Sequence, residues 1–193
     1  MNRYLFILGA LMLFVSGQAK GQDIAAKTNI LYDATASINL GVEVGLAPKW
    51  TLDLSGNLNA WSKNEQTKWK HWMIQPEGRY WFCDRFSRHF VGFHAICGQF
   101  NFGGIKNSLN FLGTDLSALS DGRYQGHAYG LGAAYGFAYI LNKSWNLELE
   151  LGIGYIHADY EHFACTGCGR KLDEGKHHYF GPTKAAINLV YLF

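Results

Sequence analysis

The residues best suited to catalysis or ligand binding are seven charged side chains, most of which lie between two apolar neighbours. They are Glu43, Asp53, Glu77, Arg79, Glu148, Glu150 and Lys184. Paired carboxylates can perform general acid–base catalysis when their surroundings separate their pKa values. The same residues could instead form a packed ion network, since buried charges must be paired or neutralised. Which alternative applies depends on the elements that carry them.

A second candidate site is Cys165-Thr166-Gly167-Cys168, which is followed by His177 and His178. A CxxC pair is half of many structural zinc sites, and the two histidines could complete four ligands. A single pair is a moderate signal, because such sites usually show two. In an oxidising compartment a local disulfide is the simpler outcome. The sequence therefore leaves a disulfide, free thiols or zinc at Cys165/Cys168 open, and we expect no other cofactor.

Familiar catalytic motifs are missing from the sequence. It contains no Gly-x-Ser-x-Gly nucleophile elbow and no His-x-Ser pair of the kind that small membrane-barrel deacylases use. Gly130-Leu131-Gly132 with Gly136 approaches a dinucleotide fingerprint, but the spacing is wrong and the segment has strand periodicity. We therefore expect no catalytic residues and no enzyme activity.

The first 21 residues have the pattern of a secretory signal peptide. Arg3 precedes an apolar run from Tyr4 to Val15, and small residues follow up to Gly21. The run is shorter than the ~20 residues that a membrane-spanning helix needs. We expect residues 1–21 to be cleaved and residues 22–193 to form one domain. Cleavage would leave 15 basic against 15 acidic residues, so no nucleic-acid partner is expected.

Alternating apolar and polar residues, typical of strands, recur after this leader. The clearest case runs from Trp145, where Leu147, Leu149 and Leu151 alternate with Glu148 and Glu150. The predicted strands are Lys27–Ala34, Leu40–Ala47, Trp50–Asn59, Trp72–Phe82, His89–Phe102, Tyr129–Tyr139, Trp145–Tyr160 and Ala185–Phe193. Since the large apolar residues share one face and the charges share the other, we predict an all-β fold, an eight-stranded antiparallel up-and-down transmembrane β-barrel.

The connections and the aromatic residues favour the same prediction. Short connections at 47–49, 84–88 and 142–144 alternate with longer ones, an asymmetry typical of outer-membrane barrels. Aromatic belts are predicted at both membrane interfaces. One comprises Trp50, Trp81, Phe82, Tyr139, Trp145, Tyr191 and Phe193, and the other Tyr32, Trp61, Trp72, Phe100, Phe102, Tyr155 and Tyr160. In the closing strand, Tyr191 and Phe193 are expected to serve as a signal for the outer-membrane assembly machinery.

This architecture decides how the candidate residues are interpreted. An eight-stranded barrel has little interior space beyond that of its own side chains, so the seven charged residues are expected to form a polar network in the lumen; a proton or ligand path is the alternative. One predicted external loop is unusually apolar, through Leu109, Phe111, Leu112, Leu116 and Leu119. These residues could pack over the barrel mouth, touch lipopolysaccharide acyl chains or bind a partner.

Four stretches carry a resemblance to a known family. They are Lys27–Asp33, Trp50–Asn57, Gln75–Trp81 and His178–Ala185. Together they resemble an uncharacterised domain-of-unknown-function family of small outer-membrane β-barrels from anaerobic gut-type Gram-negative bacteria. Members are often encoded near fimbrial components, which implies a role in the envelope or at the cell surface. The resemblance supplies no catalytic residues.

We therefore expect a non-enzymatic integral outer-membrane protein with a structural or surface-interaction role through its external loops. Its expected partners are outer-membrane lipid and lipopolysaccharide, the assembly machinery, and an envelope or fimbrial protein. The alternative function is a lipid A-modifying enzyme of the deacylase or acyltransferase type.

Overall fold

A computed structural model describes residues 23–60, 62–64, 67–104, 110–111, 114–115, 122–165 and 169–193. The predicted signal peptide lies outside these residues, as do Trp61 and Cys168. Of the five apolar residues in the predicted external loop, only Phe111 is described, and only its backbone. It belongs to a two-residue strand, Asn110–Phe111, that pairs with Thr114–Asp115. The predictions made for that loop are therefore untested.

Eight long strands form the fold. They are β1 Ile24–Asn29, β2 Ile38–Ala47, β3 Trp50–Asn59, β4 Thr67–Trp81, β5 Arg88–Gly103, β6 Arg123–Ile140, β7 Trp145–Phe163 and β8 Lys171–Leu192. Each strand pairs antiparallel with the next, and β8 pairs with β1, so the hydrogen bonds close into a ring. The short strand Ser62–Asn64 adds to β4. The all-β class, the eight antiparallel strands and the up-and-down order are confirmed.

The ring has two distinct ends. The turn end carries the tight connections at residues 48–49, 82–87 and 141–144. The loop end carries the other connections, including the short helix α1, Ile30–Ala34, and residues 164–170. No helix among the described residues is long and apolar enough to cross a membrane.

The first strand differs from its prediction. Strand β1 ends at Asn29, and Ile30 begins α1, where the sequence pattern had predicted a strand up to Ala34. Asn29 causes the change: its side chain accepts a hydrogen bond from the backbone of Leu31 and so caps the helix. Strand β8 consequently pairs with β1 only from Ala25 to Asn29.

Strands β6, β7 and β8 extend further toward the loop end than predicted. The backbone ladder continues through this extension, and exposed ion pairs accompany it. Asp159 faces Lys176, and Glu161 faces Glu174, which shares Lys171 with it. Such pairs stabilise strands without any apolar alternation, so a hydrophobicity pattern does not detect them. Several residues predicted to lie in the last external loop are therefore in strands. They are His162, Asp173 and His177, which fall between the predicted strands Trp145–Tyr160 and Ala185–Phe193.

Burial along the strands is the reverse of that in a water-soluble protein. On β7, Glu150 is 2% exposed, whereas its neighbour Leu151 is 72% exposed. The same reversal occurs around the ring, where large apolar residues face outward on β2, β3, β5 and β6 as well. Because successive strand residues point to opposite faces, the interior receives the polar set.

Candidate functional site

Arg79 is the centre of a charged network that fills the middle of the ring. Its side chain is fully buried, and it extends from β4 to carboxylates on β2, β3, β4 and β7. Its guanidinium nitrogens lie 2.6 Å from Glu77, 2.7 Å from Glu43, 2.8 Å from Glu150, 3.2 Å from Glu148 and 3.3 Å from Asp53. One cation thus joins four strands of the ring.

Two lysines complete the network. Lys184 Nζ on β8 donates to Glu77 at 2.5 Å and lies 3.1 Å from Glu150. Lys27 Nζ on β1 donates to Glu43 and, at 3.2 Å, to Glu148. Lys27 was not among the residues singled out from the sequence, although the alternation that places Ile30 and Tyr32 outward also places Lys27 inward.

All seven charged residues singled out from the sequence are brought together here. With Lys27 the network has five carboxylates and three cations, and every member is buried. Beside it remains a void of only about 10 Å³. Side chains therefore close the middle of the ring, and the network's chemistry is mutual charge compensation.

An apolar cluster closes the interior at the turn end. Its largest members are Trp81, Phe86 and Phe90, which pack against Val190 and Leu192. The predicted outer position of Trp81 is wrong: it shares the inward face of β4 with Arg79, and its Nε1 donates to Thr51 Oγ1 at 2.9 Å. The Arg79 guanidinium lies 4.5 Å from the centre of the Phe90 ring, a cation–π contact that joins the cluster to the network.

His94 and Thr183 form an arrangement that the sequence did not indicate. His94 Nε2 lies 2.9 Å from Thr183 Oγ1, and His94 Nδ1 lies 3.6 Å from Glu77 Oε2. The order of hydroxyl, imidazole and carboxylate resembles a nucleophilic triad. However, 3.6 Å exceeds hydrogen-bond distance, and Glu77 is already paired with Arg79 and Lys184. The geometry therefore does not define a triad.

Above the network, toward the loop end, the interior opens into two cavities. The one nearer the network has a volume of about 590 Å³ and is lined mainly by apolar and aromatic residues, among them Met73, Phe100 and Phe102. The predicted position of Phe100 and Phe102 in an outer aromatic belt is therefore wrong. The other, about 940 Å³, has a more polar lining that includes the inward-facing Asn59 and Tyr160. His71 lines both cavities. The alternation of apolar and polar residues in the sequence does not indicate either cavity, because both depend on how opposite walls of the ring face each other.

The cysteine and histidine candidates are only partly described. Cys165 is half-buried in the connection between β7 and β8, and Cys168 is outside the described residues. His177 and His178 are adjacent on β8, where successive side chains point to opposite faces, and His178 contacts Tyr155 and His157. The described part of the chain contains no group of three or more potential metal ligands. The disulfide and zinc alternatives at Cys165/Cys168 stay predictions.

The predicted assembly signal lies at the turn end of the closing strand. Tyr191 packs against Trp145 with ring centres 5.0 Å apart, and the Phe193 amide donates to the Ile24 carbonyl at 3.0 Å. These contacts tie the last strand to both of its neighbours in the ring. A recognition role for the two aromatic residues is a separate matter and stays a prediction.

Comparison with known proteins gives a family without an assigned activity. No curated protein matches the chain. The family model DUF3575, described as a protein of unknown function, matches residues 5–193, which is nearly the whole sequence. The chain therefore belongs to the DUF3575 family.

Proposed function

We propose that this protein is an integral β-barrel of the Gram-negative outer membrane, with a structural or surface-interaction role and no catalytic step of its own. One observation carries the proposal: apolar side chains cover the outside of a closed ring whose inside is charged. In water that outer surface would be strongly unfavourable, whereas a bilayer would solvate it. Export would depend on the apolar leader at residues 1–21.

The dimensions of the apolar surface support this proposal. On β7 it runs from Trp145, which packs on Tyr191, to Tyr155, which contacts His178. These limits are about ten residues apart, or about 33 Å along the strand, which gives a height of about 25 Å at a tilt of ~40°. That height matches the apolar band of outer-membrane barrels. Beyond Tyr155 the outward residues become charged, beginning with Asp159.

The interior of the ring favours a structural or binding role over transport. The Arg79 network and the Trp81 cluster occupy successive layers between the two cavities and the turn end, so no open channel runs through the described part of the ring. We therefore expect no substantial ion conductance in planar bilayers. The turn end would face the periplasm, and the loop end would meet lipopolysaccharide and an envelope or fimbrial partner.

Fractionation of cell envelopes tests the proposal. The protein is expected in the outer-membrane fraction, resistant to extraction by urea, with an electrophoretic mobility that changes on boiling as a folded barrel opens. Recovery in the soluble periplasmic fraction would contradict it.

Lipid A analysis tests the catalytic alternative separately. Mass spectra from a deletion strain are expected to match those of the parent. An altered acyl pattern that the intact gene restores would replace the non-enzymatic role with lipid modification, and would leave the membrane location untouched.

A further inference from the structure

The ring has one incompletely bonded seam, between β8 and the segment formed by α1 and β2. The β1–β8 ladder ends where the side chain of Asn29 donates to the Ala185 carbonyl at 3.2 Å and accepts from the Ile187 amide at 3.2 Å. From Lys184 toward the loop end, no backbone hydrogen bond among the described residues joins β8 to α1 or β2. Pro182 lies in this stretch, and proline suits such an edge because it has no N–H to satisfy.

The apolar cavity lies directly behind this seam. Its wall on the seam side is formed by Leu31 and Tyr32 of α1 together with Pro182 and its neighbours on β8, and its far wall by Met73 and Phe100. A volume of about 590 Å³ is within the ~300–1,000 Å³ range of small-molecule sites, and an eight-stranded barrel can hold one small ligand.

One polar atom in this cavity lacks a partner. His71 Nδ1 is buried, and no hydrogen-bonding group of the described residues satisfies it. Because Nδ1 has almost no exposed surface, the imidazole must turn toward the cavity before a ligand can reach this atom. Leaving the atom unpaired costs ~1–3 kcal/mol, so that turn would be favoured by a ligand that carries a hydrogen-bonding group. The lining thus suits a mainly apolar molecule with one polar end.

The depth of the seam indicates where such a molecule would come from. Pro182 faces Ile153, and Phe180 faces Tyr155, the residue that bounds the apolar surface on β7. The seam is therefore just inside the loop-end boundary, at the depth of the outer leaflet's acyl chains. Strand edges exposed to lipid are unfavourable, so this one must be covered. Helix α1 covers it by one short turn, with Ile30 43% and Leu31 42% exposed.

We propose that the apolar cavity binds a single acyl chain of an outer-leaflet lipid, which enters sideways between α1 and β8. The hydrocarbon occupies the space between Phe100 and Pro182, and the ester or carboxyl end meets His71 near the membrane boundary. This inference rests on the proposed membrane location and adds a ligand and an entry route to it.

Photo-crosslinking in vesicles tests the inference. The protein is reconstituted with a phosphatidylethanolamine that carries a diazirine on one acyl chain, and labelled residues are mapped by mass spectrometry. Label is expected on the cavity wall, at Met73 and Phe100, as well as on the outward-facing Leu131. Ala128→Phe, which fills the cavity, should reduce cavity label about tenfold relative to Leu131. Ala133→Phe, on the outward face of the same strand, should leave it unchanged.

The possible results separate the two proposals. Label on Leu131 without label on the cavity wall would overturn the acyl site and keep the barrel. Loss of both in correctly reconstituted protein would overturn the membrane location and the acyl site with it. Cavity label that persists in folded Ala128→Phe would overturn the site. Cavity label that arises only from a free fatty acid added in water would overturn the lateral entry. Ala128→Leu provides a smaller filler if the phenylalanine variant does not fold.

Discussion

The Nη2 atom of Arg79 on β4 lies 2.8 Å from Oε2 of Glu150 on β7, although these strands are not neighbours in the ring. The contact therefore crosses the interior, and the same guanidinium also binds Glu43 on β2. Backbone pairing holds each strand only to the next one. Arg79 adds direct links between separate parts of the wall.

Removing Arg79 should destabilise the ring more than removing any exposed ion pair. Arg79→Met leaves several buried carboxylates without their central cation, and we expect the free energy of unfolding to fall by about 3–5 kcal/mol. Arg85→Met is the control, because its pair with Asp23 is partly exposed and such pairs contribute about 0–1 kcal/mol. Urea unfolding in detergent micelles measures both. Equal losses would show that the network contributes no more than a surface pair.

The loss of stability caused by a charge on the outer surface should depend on how deep the charge lies in the proposed membrane. Leu151→Arg puts a cation in the middle of the proposed apolar band, at a cost of about 2–4 kcal/mol. Leu172→Arg makes the same change near the loop-end tip of β8, where the cost should be about 0–1 kcal/mol. Unfolding in phospholipid bilayers gives the comparison. Similar values for the two variants would mean that Leu151 is in contact with water.

Gly136 should be intolerant of even one added methyl group. A Cβ there would overlap the Phe90 ring, which Trp81 and Arg79 hold in place, so Gly136→Ala should destabilise by about 1–3 kcal/mol. Gly78→Ala is the matched control, since a Cβ at that position meets no atom within 4 Å and should change stability by less than about 0.5 kcal/mol. Thermal unfolding compares the two. A neutral Gly136→Ala would contradict the tight packing of the turn-end cluster.

The ion pairs beyond Tyr155 should respond to pH in a defined direction. Hydrogen bonds from Lys171 and Gln125 hold the pKa of Glu161 below its ordinary value, and hydrogen bonds to Glu161 and Glu174 raise the pKa of Lys171 to about 12. A lowered carboxyl pKa gives stabilisation that is lost as pH falls through it. A raised amine pKa gives stabilisation that is lost as pH rises through about 12. The contact should therefore persist throughout the neutral range.

An NMR titration of the Glu161 carboxyl carbon checks this direction. Lys171→Met should move the midpoint upward, toward the value of an ordinary glutamate, because the main hydrogen-bond donor is gone. Lys143→Met, at the turn end, should not move it. An unchanged midpoint in Lys171→Met would show that the two side chains do not interact in solution.

The alternation of apolar and polar residues along the chain predicted the fold. At Glu150 and Leu151 it assigned opposite faces, and the burial of the two residues matches that assignment. It could not detect α1, because the helix depends on one capping side chain, Asn29, within an otherwise strand-like segment. It also could not detect the extension of β7 beyond Tyr160 and the early start of β8, where charged residues replace the apolar alternation.

The sequence predicted which charged residues face the interior, but it did not predict which of them form ion pairs with each other. Residue type and alternation brought Glu43 and Arg79 to the inside, but they could not say which carboxylate meets which cation. Trp81 was predictable as well: it is two residues from Arg79, so alternation places both on the inward face, and its assignment to the outer belt was inconsistent with that. The cavity behind Pro182 required the registers of β4, β5 and β8 together.

The central claim, that the apolar outer surface is in contact with lipid, is tested most directly by spin labels placed one at a time along β7. In a background with the native cysteines replaced, labels at residues 147 to 159 are measured in bilayers for collision with oxygen, which concentrates in lipid, and with a water-soluble nickel chelate. We expect oxygen collisions to dominate at positions 149, 151 and 153, and nickel collisions to dominate at position 159. Nickel collisions at position 151 as frequent as those at 159 would contradict this claim.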